Sequence, residues 1–270
     1  MPTTEIKKAF IEIPLVRIPR DHPRRKSLEI RERIVSEVAS GVVTLQGLIA
    51  HGRGECFDYL IGEETREFAI KAIKAAAAAL LLAKHPVISV NGNTAALVPE
   101  HIVELAKLVD AEIEVNLFYR TRRRELAIAR LLRKYGAVRI LGIGEDADAV
   151  IPELHSERRR VSSRGILRAD VVLVPLEDGD RTEALVKMGK TVIAIDLNPL
   201  SRTSLTATIT IVDNIVRAMP RLVEECKRML RLNTSELRKV LASYNNKEIL
   251  REAIEFISTR LKELACSLLH

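Results

Sequence analysis

Short, nearly unbroken apolar runs recur through the middle of the chain: Val87-Ile88-Ser89-Val90, then residues 112–117, 138–141, 171–174, 191–195 and 208–212. They are too short for independent helices, and most lack the alternation of a strand with one wet face. They read as strands covered on both sides, the condition of a parallel sheet between helices. Helical patterns separate them, so residues 86–230 predict a three-layer α/β domain with a mostly parallel sheet, flanked by N-terminal and C-terminal helical segments. Aromatic residues are only 3 % of the chain and Trp is absent, so such a core must be built from Ala, Ile, Leu and Val.

Before the first strand, Leu28, Ile30, Ile34, Val35 and Val38 have helical spacing after Ser27, a good N-cap, and the pattern stops at Gly41. A short helix at 45–48 leads into a turn, His51-Gly52-Arg53-Gly54, and a long helix covers 64–84. Pro99 opens a helix to 109, Thr121 caps a basic helix to 135, and another helix spans 181–188. From Asn214 the chain is helical, with a break at Asn233-Thr234-Ser235. The organisation expected is an extension over 1–20, a core with its N-terminal helices over 21–232, and C-terminal helices packed on it over 233–270.

Several functional classes fall away. The longest apolar run, residues 75–83, is far short of the roughly 20 residues a bilayer span needs. The N-terminus has no apolar signal-peptide region, and the three cysteines, Cys56, Cys226 and Cys266, have no regular spacing. A cytoplasmic protein without membrane association is expected. The six histidines form no metal-binding pair and no cysteines have zinc spacing, so no metal site is fixed by protein groups alone; a Mg²⁺ brought by a nucleotide would leave no motif. The net charge of +7 implies an anionic partner. Basic clusters at 24–26, 122–124 and 158–160 raise nucleic acid as an alternative, but the aromatics that stack on bases are scarce, and solvated helix ends and loops are the commoner origin of such clusters.

In an open α/β sheet, ligands bind beyond the carboxyl ends of the strands. Five polar segments fall at such ends: Asn91-Gly92-Asn93-Thr94, residues 116–120, Glu177-Asp178-Gly179-Asp180, Asp196-Leu197-Asn198 and Asp213-Asn214. Together they point to a shared crevice. Gly189-Lys190-Thr191 is no P-loop, because position 184 is Ala and the triplet precedes a strand; Gly142-Ile143-Gly144 lacks the third glycine of a dinucleotide fingerprint, position 147 being Ala. In His51-Gly52-Arg53-Gly54-Glu55, two glycines would let backbone approach a ligand while the guanidinium forks onto phosphate or carboxylate oxygens. The start of the helix after Asp178, with Arg181, favours an anion, and residues 196–203 offer acceptors for a ribose or adenine together with Arg202.

These stretches, with Ile18-Pro19, His22-Pro23-Arg24, residues 47–55 and 57–62, Asn116-Leu117-Phe118-Tyr119-Arg120-Thr121 and residues 211–218, resemble the archaeal-type phosphopantothenate synthetases, the 4-phosphopantoate–β-alanine ligases. The resemblance runs in order from about residue 18 to 218. It implies a Rossmann-like core, a homodimer, and condensation of 4-phosphopantoate with β-alanine at the expense of ATP, giving 4′-phosphopantothenate, AMP and pyrophosphate for coenzyme A biosynthesis. Carried over position by position, the family's ATP contacts fall on Arg31, Arg53, Asp196, Leu197, Asn198, Arg202, Thr203, Asn214 and Ile215. From strand-end position, Asn91, Gly92, Asn93, Arg120, Asp180 and Arg181 are candidates for the phosphorylated acid. His51, Glu177 and Asp178 are candidates for taking the amine proton. A ligase of the same fold acting on a different acid and amine is the nearer alternative.

Overall fold

The apolar runs lie parallel in one six-stranded sheet. The computed structural model describes residues 18–268, so of the extension expected over residues 1–20 the part from 1 to 17 lies outside the described residues. The strands are β1 (Pro86–Val90), β2 (Glu112–Val115), β3 (Ile140–Leu141), β6 (Val171–Pro175), β7 (Thr191–Ile195) and β8 (Ile209–Ile211), while β4 (Ala149–Val150) and β5 (Arg160–Val161) form a separate antiparallel ladder. The sheet order is β3-β2-β1-β6-β7-β8. It winds outward from β1 in one direction and from β6 in the other.

Helices cover both faces. In chain order they are α1 (Arg25–Ser40), α2 (Leu45–Ile61), α3 (Glu67–Leu82), α4 (Gly92–Leu97), α5 (Pro99–Leu108), α6 (Arg122–Lys134), α7 (Gly179–Lys187), α8 (Arg202–Thr206), α9 (Ile215–Met229), α10 (Thr234–Ala242) and α11 (Asn246–Ser267). Adjacent strand residues point to opposite layers. Ile88, Val90, Leu173, Ile193 and Ile195 join the larger core with α3, α5 and α9. Val87, Val172, Val174, Val192 and Ala194 join a smaller one with Ala184 and Leu185 of α7. The helices that follow β1 and β6 therefore leave to opposite faces, and the strand order reverses between them. Such a reversal opens a crevice beyond the strands' carboxyl ends.

Three expectations are corrected. The turn at His51-Gly52-Arg53-Gly54 does not form, because residues 45–61 are one helix. Thr44 Oγ1 accepts from Gly47 N at 3.1 Å and Gly62, at φ +82°, closes the other end. Two interior glycines cost about 1 kcal/mol each relative to Ala, and the packing of Ile61 in the core and the ion pair of buried Asp58 with Arg217 hold the helix through them. The strand at 138–141 shrinks to Ile140–Leu141, and Val138, just past Gly136 at φ +90°, is 91 % exposed. Helix α1 begins at Arg25, with Ser27 inside its first turn bonded to Arg24 O at 3.2 Å. The break at Asn233 is a capping box with Glu236, and Leu237, Ile249, Leu250 and Ala253 beyond it join the larger core. Among the described residues no helix is long and apolar enough to cross a membrane.

The connection from β3 to β6, residues 142–170, is docked on β2 by two side chains. Asn116 Nδ2 donates to Arg158 O and Arg160 O at 3.1 and 3.2 Å. The Glu114 carboxylate accepts from Ser162 N and Ile166 N at 3.1 and 2.7 Å. Both N–H bonds favour its ionised form, yet burial outweighs them and raises its pKa to about 7. The folded protein thus holds a proton that the unfolded chain releases near pH 4.5. This group's share of stability, on the order of 3 kcal/mol, is present below that pH and is lost as pH rises to about 7. Equilibrium unfolding from pH 4.5 to 8 should show this decline, and Glu114→Gln should flatten it; an unchanged slope in the variant would assign the titration elsewhere.

Candidate functional site

The crevice is built at the ends of β1 and β6. Asn91 ties them together: its Oδ1 accepts from Thr94 N at 3.0 Å, capping α4, while its Nδ2 donates to Pro175 O and Leu176 O, both at 3.0 Å. Leu176 follows β6 in the left-handed region at φ +53°, a conformation costing on the order of 1–3 kcal/mol for a side-chain-bearing residue. Glu177 and Asp178 come next. Asp178 Oδ1 caps α7 by accepting from Arg181 N at 3.0 Å, and Thr203 Oγ1 of α8 donates to Glu177 O at 3.0 Å. Gly179 permits this approach of α7 and α8, since a Cβ there would lie 2.4 Å from Arg202 Cβ.

Two cavities meet at this turn. The larger, about 690 Å³, lies between α2, the β6–α7 turn, the β7–α8 loop and the start of α9. Its lining includes Arg53, Asp196, Leu197, Asn198, Arg202, Thr203, Asn214 and Ile215, together with His51, Glu177 and Asp178. The smaller, about 360 Å³, is lined by Asn91, Gly92 and Asn93, by Leu117, Phe118 and Tyr119, and by Arg124 and Arg158. Arg53, Asn93, Leu176, Glu177 and Asp178 face both.

Four candidates line neither cavity. Arg31 lies beside α2, its guanidinium 3.5 Å from Glu55. Asp180 is exposed and pairs with Arg202 at 2.6 Å. Arg120 is consumed in packing: it pairs with buried Glu125 at 2.6 Å and donates to Gly142 O and Arg160 O, so it cannot turn toward a ligand. Arg181 is fully buried beneath the turn, bonded to Ser89 Oγ at 2.8 Å and paired with Glu177. Arg158 and Arg124 take the places foreseen for Arg120 and Arg181. Both sit in basic runs that read as solvated, and only tertiary packing distinguishes them from their neighbours.

Glu177 carries the electrostatics of the junction. Its side chain is 1 % exposed, gripped by Arg158 Nη1 at 2.6 Å and by Arg181 from below. Burial raises its pKa and the two guanidiniums oppose that rise. Burial also raises the pKa of Asp196, whose oxygens accept from Asn198 N at 2.9 Å and from Ser201 Oγ. Burial lowers that of His51, leaving a neutral imidazole at neutral pH. Asn214 caps α9 and donates to Asp58 Oδ2 at 2.7 Å, clamping α2 as a wall of the larger cavity. Among the described residues no three His, Cys, Asp or Glu side chains are grouped to hold a metal.

The phosphopantothenate/pantothenate synthetase family model matches residues 68–260. A 4-phosphopantoate–beta-alanine ligase of Thermococcus kodakarensis is 55 % identical over 252 residues, covering 93 % of this chain and 96 % of that protein. Proteins of the same name from Methanosarcina mazei and Methanospirillum hungatei are 56 % and 48 % identical, covering 92 % and 90 % of this chain and 97 % and 98 % of their own.

Removing Arg181 would strand Glu177 with a single partner. Breaking a buried ion pair costs about 3–5 kcal/mol, so Arg181→Met should lower the unfolding free energy by that amount in denaturant titration. A wild-type midpoint would show that the pair does not hold the turn.

Proposed function

Because the chain belongs to the phosphopantothenate/pantothenate synthetase family, we propose that it condenses 4-phosphopantoate with β-alanine in coenzyme A biosynthesis, with ATP in the larger cavity and the acid reaching it from the smaller one. The observation that carries this reading is the shared wall, where Arg53 and Asn93 face Glu177 and Asp178 across the junction. A carboxylate is a poor acylating agent. In the reaction it attacks the α-phosphorus of ATP, pyrophosphate leaves, and an acyl-adenylate forms. The β-alanine nitrogen then attacks the acyl carbon, AMP departs with the oxygen the acid contributed, and the amine gives up a proton.

This chain's residues bring two anions together. At 4 Å each pair of unit charges repels by about 1 kcal/mol in water and about 4 at an effective dielectric constant of 20. Arg53 at the junction offsets that repulsion; Arg202 on the far wall, paired with Asp180 and Glu183 at 2.6 and 3.0 Å, joins it by exchanging those partners for the triphosphate, and Arg31, 3.5 Å from Glu55, does so from beside α2. Asp196, Leu197, Asn198, Thr203, Asn214 and Ile215 shape the remainder of the nucleotide site. Mg²⁺ enters with the triphosphate as part of the substrate; the carboxylates of the larger cavity are already committed to caps and ion pairs. Neutral His51 and the two carboxylates at the junction are the groups placed to take the amine proton. The enzyme acts as a homodimer in the cytoplasm. The exposure of Leu45 and Ile49 on α2, 54 % and 67 %, supports the first assignment, and three free cysteines suit the second.

AMP and pyrophosphate should appear in equal amounts only when ATP, 4-phosphopantoate and β-alanine are all present. Arg53→Ala should reduce AMP formation by ~10²-fold or more with the melting temperature unchanged; near wild-type turnover in that variant would remove Arg53 from the site.

A further inference from the structure

We infer that Arg217, which lines neither cavity, is a positioning residue for the adenylation step: it fixes the rotation of α2 about its own axis and so aims Arg53 at the junction of the two cavities. The inference rests on the ligase reading and deepens it.

Helix α2 is lightly anchored for its length. Of its 17 residues only Asp58 and Ile61 are buried, both at its C-terminal end. Arg53 stands between Gly52 and Gly54. A Cβ on Gly52 would meet nothing within 4 Å, and one on Gly54 would touch only Leu197 Cδ1 at 3.8 Å. The two residues flanking Arg53 thus offer no side chain against which a neighbour could set its direction.

The direction is set five residues on. Arg217, in the first turn of α9, grips the Asp58 carboxylate with both terminal nitrogens, Nη1 to Oδ2 at 3.1 Å and Nη2 to Oδ1. Its Nε and Nη2 also donate to Asp213 Oδ1 at 2.9 and 2.6 Å. Asn214 Nδ2 donates to Asp58 Oδ2 at 2.7 Å, and Thr65 Oγ1, just ahead of α3, donates to Asp213 Oδ2 at 2.6 Å. Burial opposes the charge on Arg217, but its bonds to the two carboxylates outweigh burial and raise its pKa, so this guanidinium is committed to α2 and α9. A buried ion pair adds little stability over apolar packing. What the forked guanidinium adds is orientation, because its paired bonds hold only in one plane.

Orientation matters at Arg53. It lies about 7.5 Å along the helix axis from Asp58 and about 140° round it, so the carboxylate turns toward α9 while the guanidinium turns toward the cavities. A rotation of about 15° would sweep a side chain at the helix rim through roughly 1.5 Å. An error of ~1 Å in a group that aligns reactants can cost on the order of 10²-fold in rate.

The test is a double-mutant cycle. Arg217→Met, Arg217→Lys and Asp58→Asn are each made alone and together with Arg53→Ala, and AMP formation and the Kd for ATP are measured for every protein. With Arg53 present, Arg217→Met should lower kcat by about 10- to 10²-fold, and Arg217→Lys, which keeps the charge without the fork, by less. In the Arg53→Ala background the same changes should cost less than about 2-fold, because the group they misaim is gone. Arg217→Met leaves Asp58 and Asp213 facing each other without a cation; if it does not fold, Asp58→Asn, in which Arg217 stays balanced by Asp213, carries the cycle. Losses of equal size in both backgrounds, or wild-type turnover in Arg217→Met, would overturn the inference. A wild-type enzyme that makes no AMP would instead sink the ligase reading, and the cycle read in the Kd for ATP would still decide whether Arg217 acts through Arg53.

Discussion

A single buried carboxylate organises the crevice. Glu177, held between Arg158 and Arg181 just past the left-handed Leu176, sits where the strand order of the sheet reverses. Burying an unpaired carboxylate would cost several kcal/mol, so the turn exists only because two guanidiniums converge on it from separate parts of the chain. Arg181 comes from α7 below; Arg158 comes from the 142–170 connection, which Asn116 and Glu114 suspend over the end of β2. Asn91 from β1 and Thr203 from α8 bond the backbone of the same turn. Five otherwise distant segments are thereby fixed around one point, and the two cavities are the spaces left on either side of it.

On the proposed reading, that arrangement serves two anionic substrates. Low-dielectric walls strengthen attraction and repulsion alike, so neutralising charge must lie beside each phosphate group rather than somewhere on the surface. The larger cavity carries acidic residues already locked in caps and turns, which suits a nucleotide arriving with its own cation. The smaller one keeps a surplus of guanidinium charge. Arg53, on the exposed side of α2, belongs to both.

The strands were legible because burial on both faces leaves no polar alternation to confuse them, and the strand-end rule located Asn91, Glu177, Asp178, Asp196 and Asn214 before any contact was known. Other features were not legible, for physical reasons. Gly52 and Gly54 carry a turn signal, yet the cap at Thr44 and the docking of Asp58 and Ile61 continue the helix through them. The two-residue strands β4 and β5 are too short to show a period. Arginine in a basic run looks the same whether solvated or buried. Arg120, Arg124, Arg158 and Arg181 differ only in what the fold brings to them: a buried glutamate, two carbonyls, a pair of acids, or the underside of a turn.

The central claim is that the acid's carboxylate and the α-phosphorus of ATP meet across the wall shared by the two cavities. Following heavy-oxygen label from the carboxylate of 4-phosphopantoate through one turnover tests it most directly. The account predicts one labelled oxygen in the phosphate of AMP and none in pyrophosphate. Label in pyrophosphate, or AMP formed with no label at all, would contradict it.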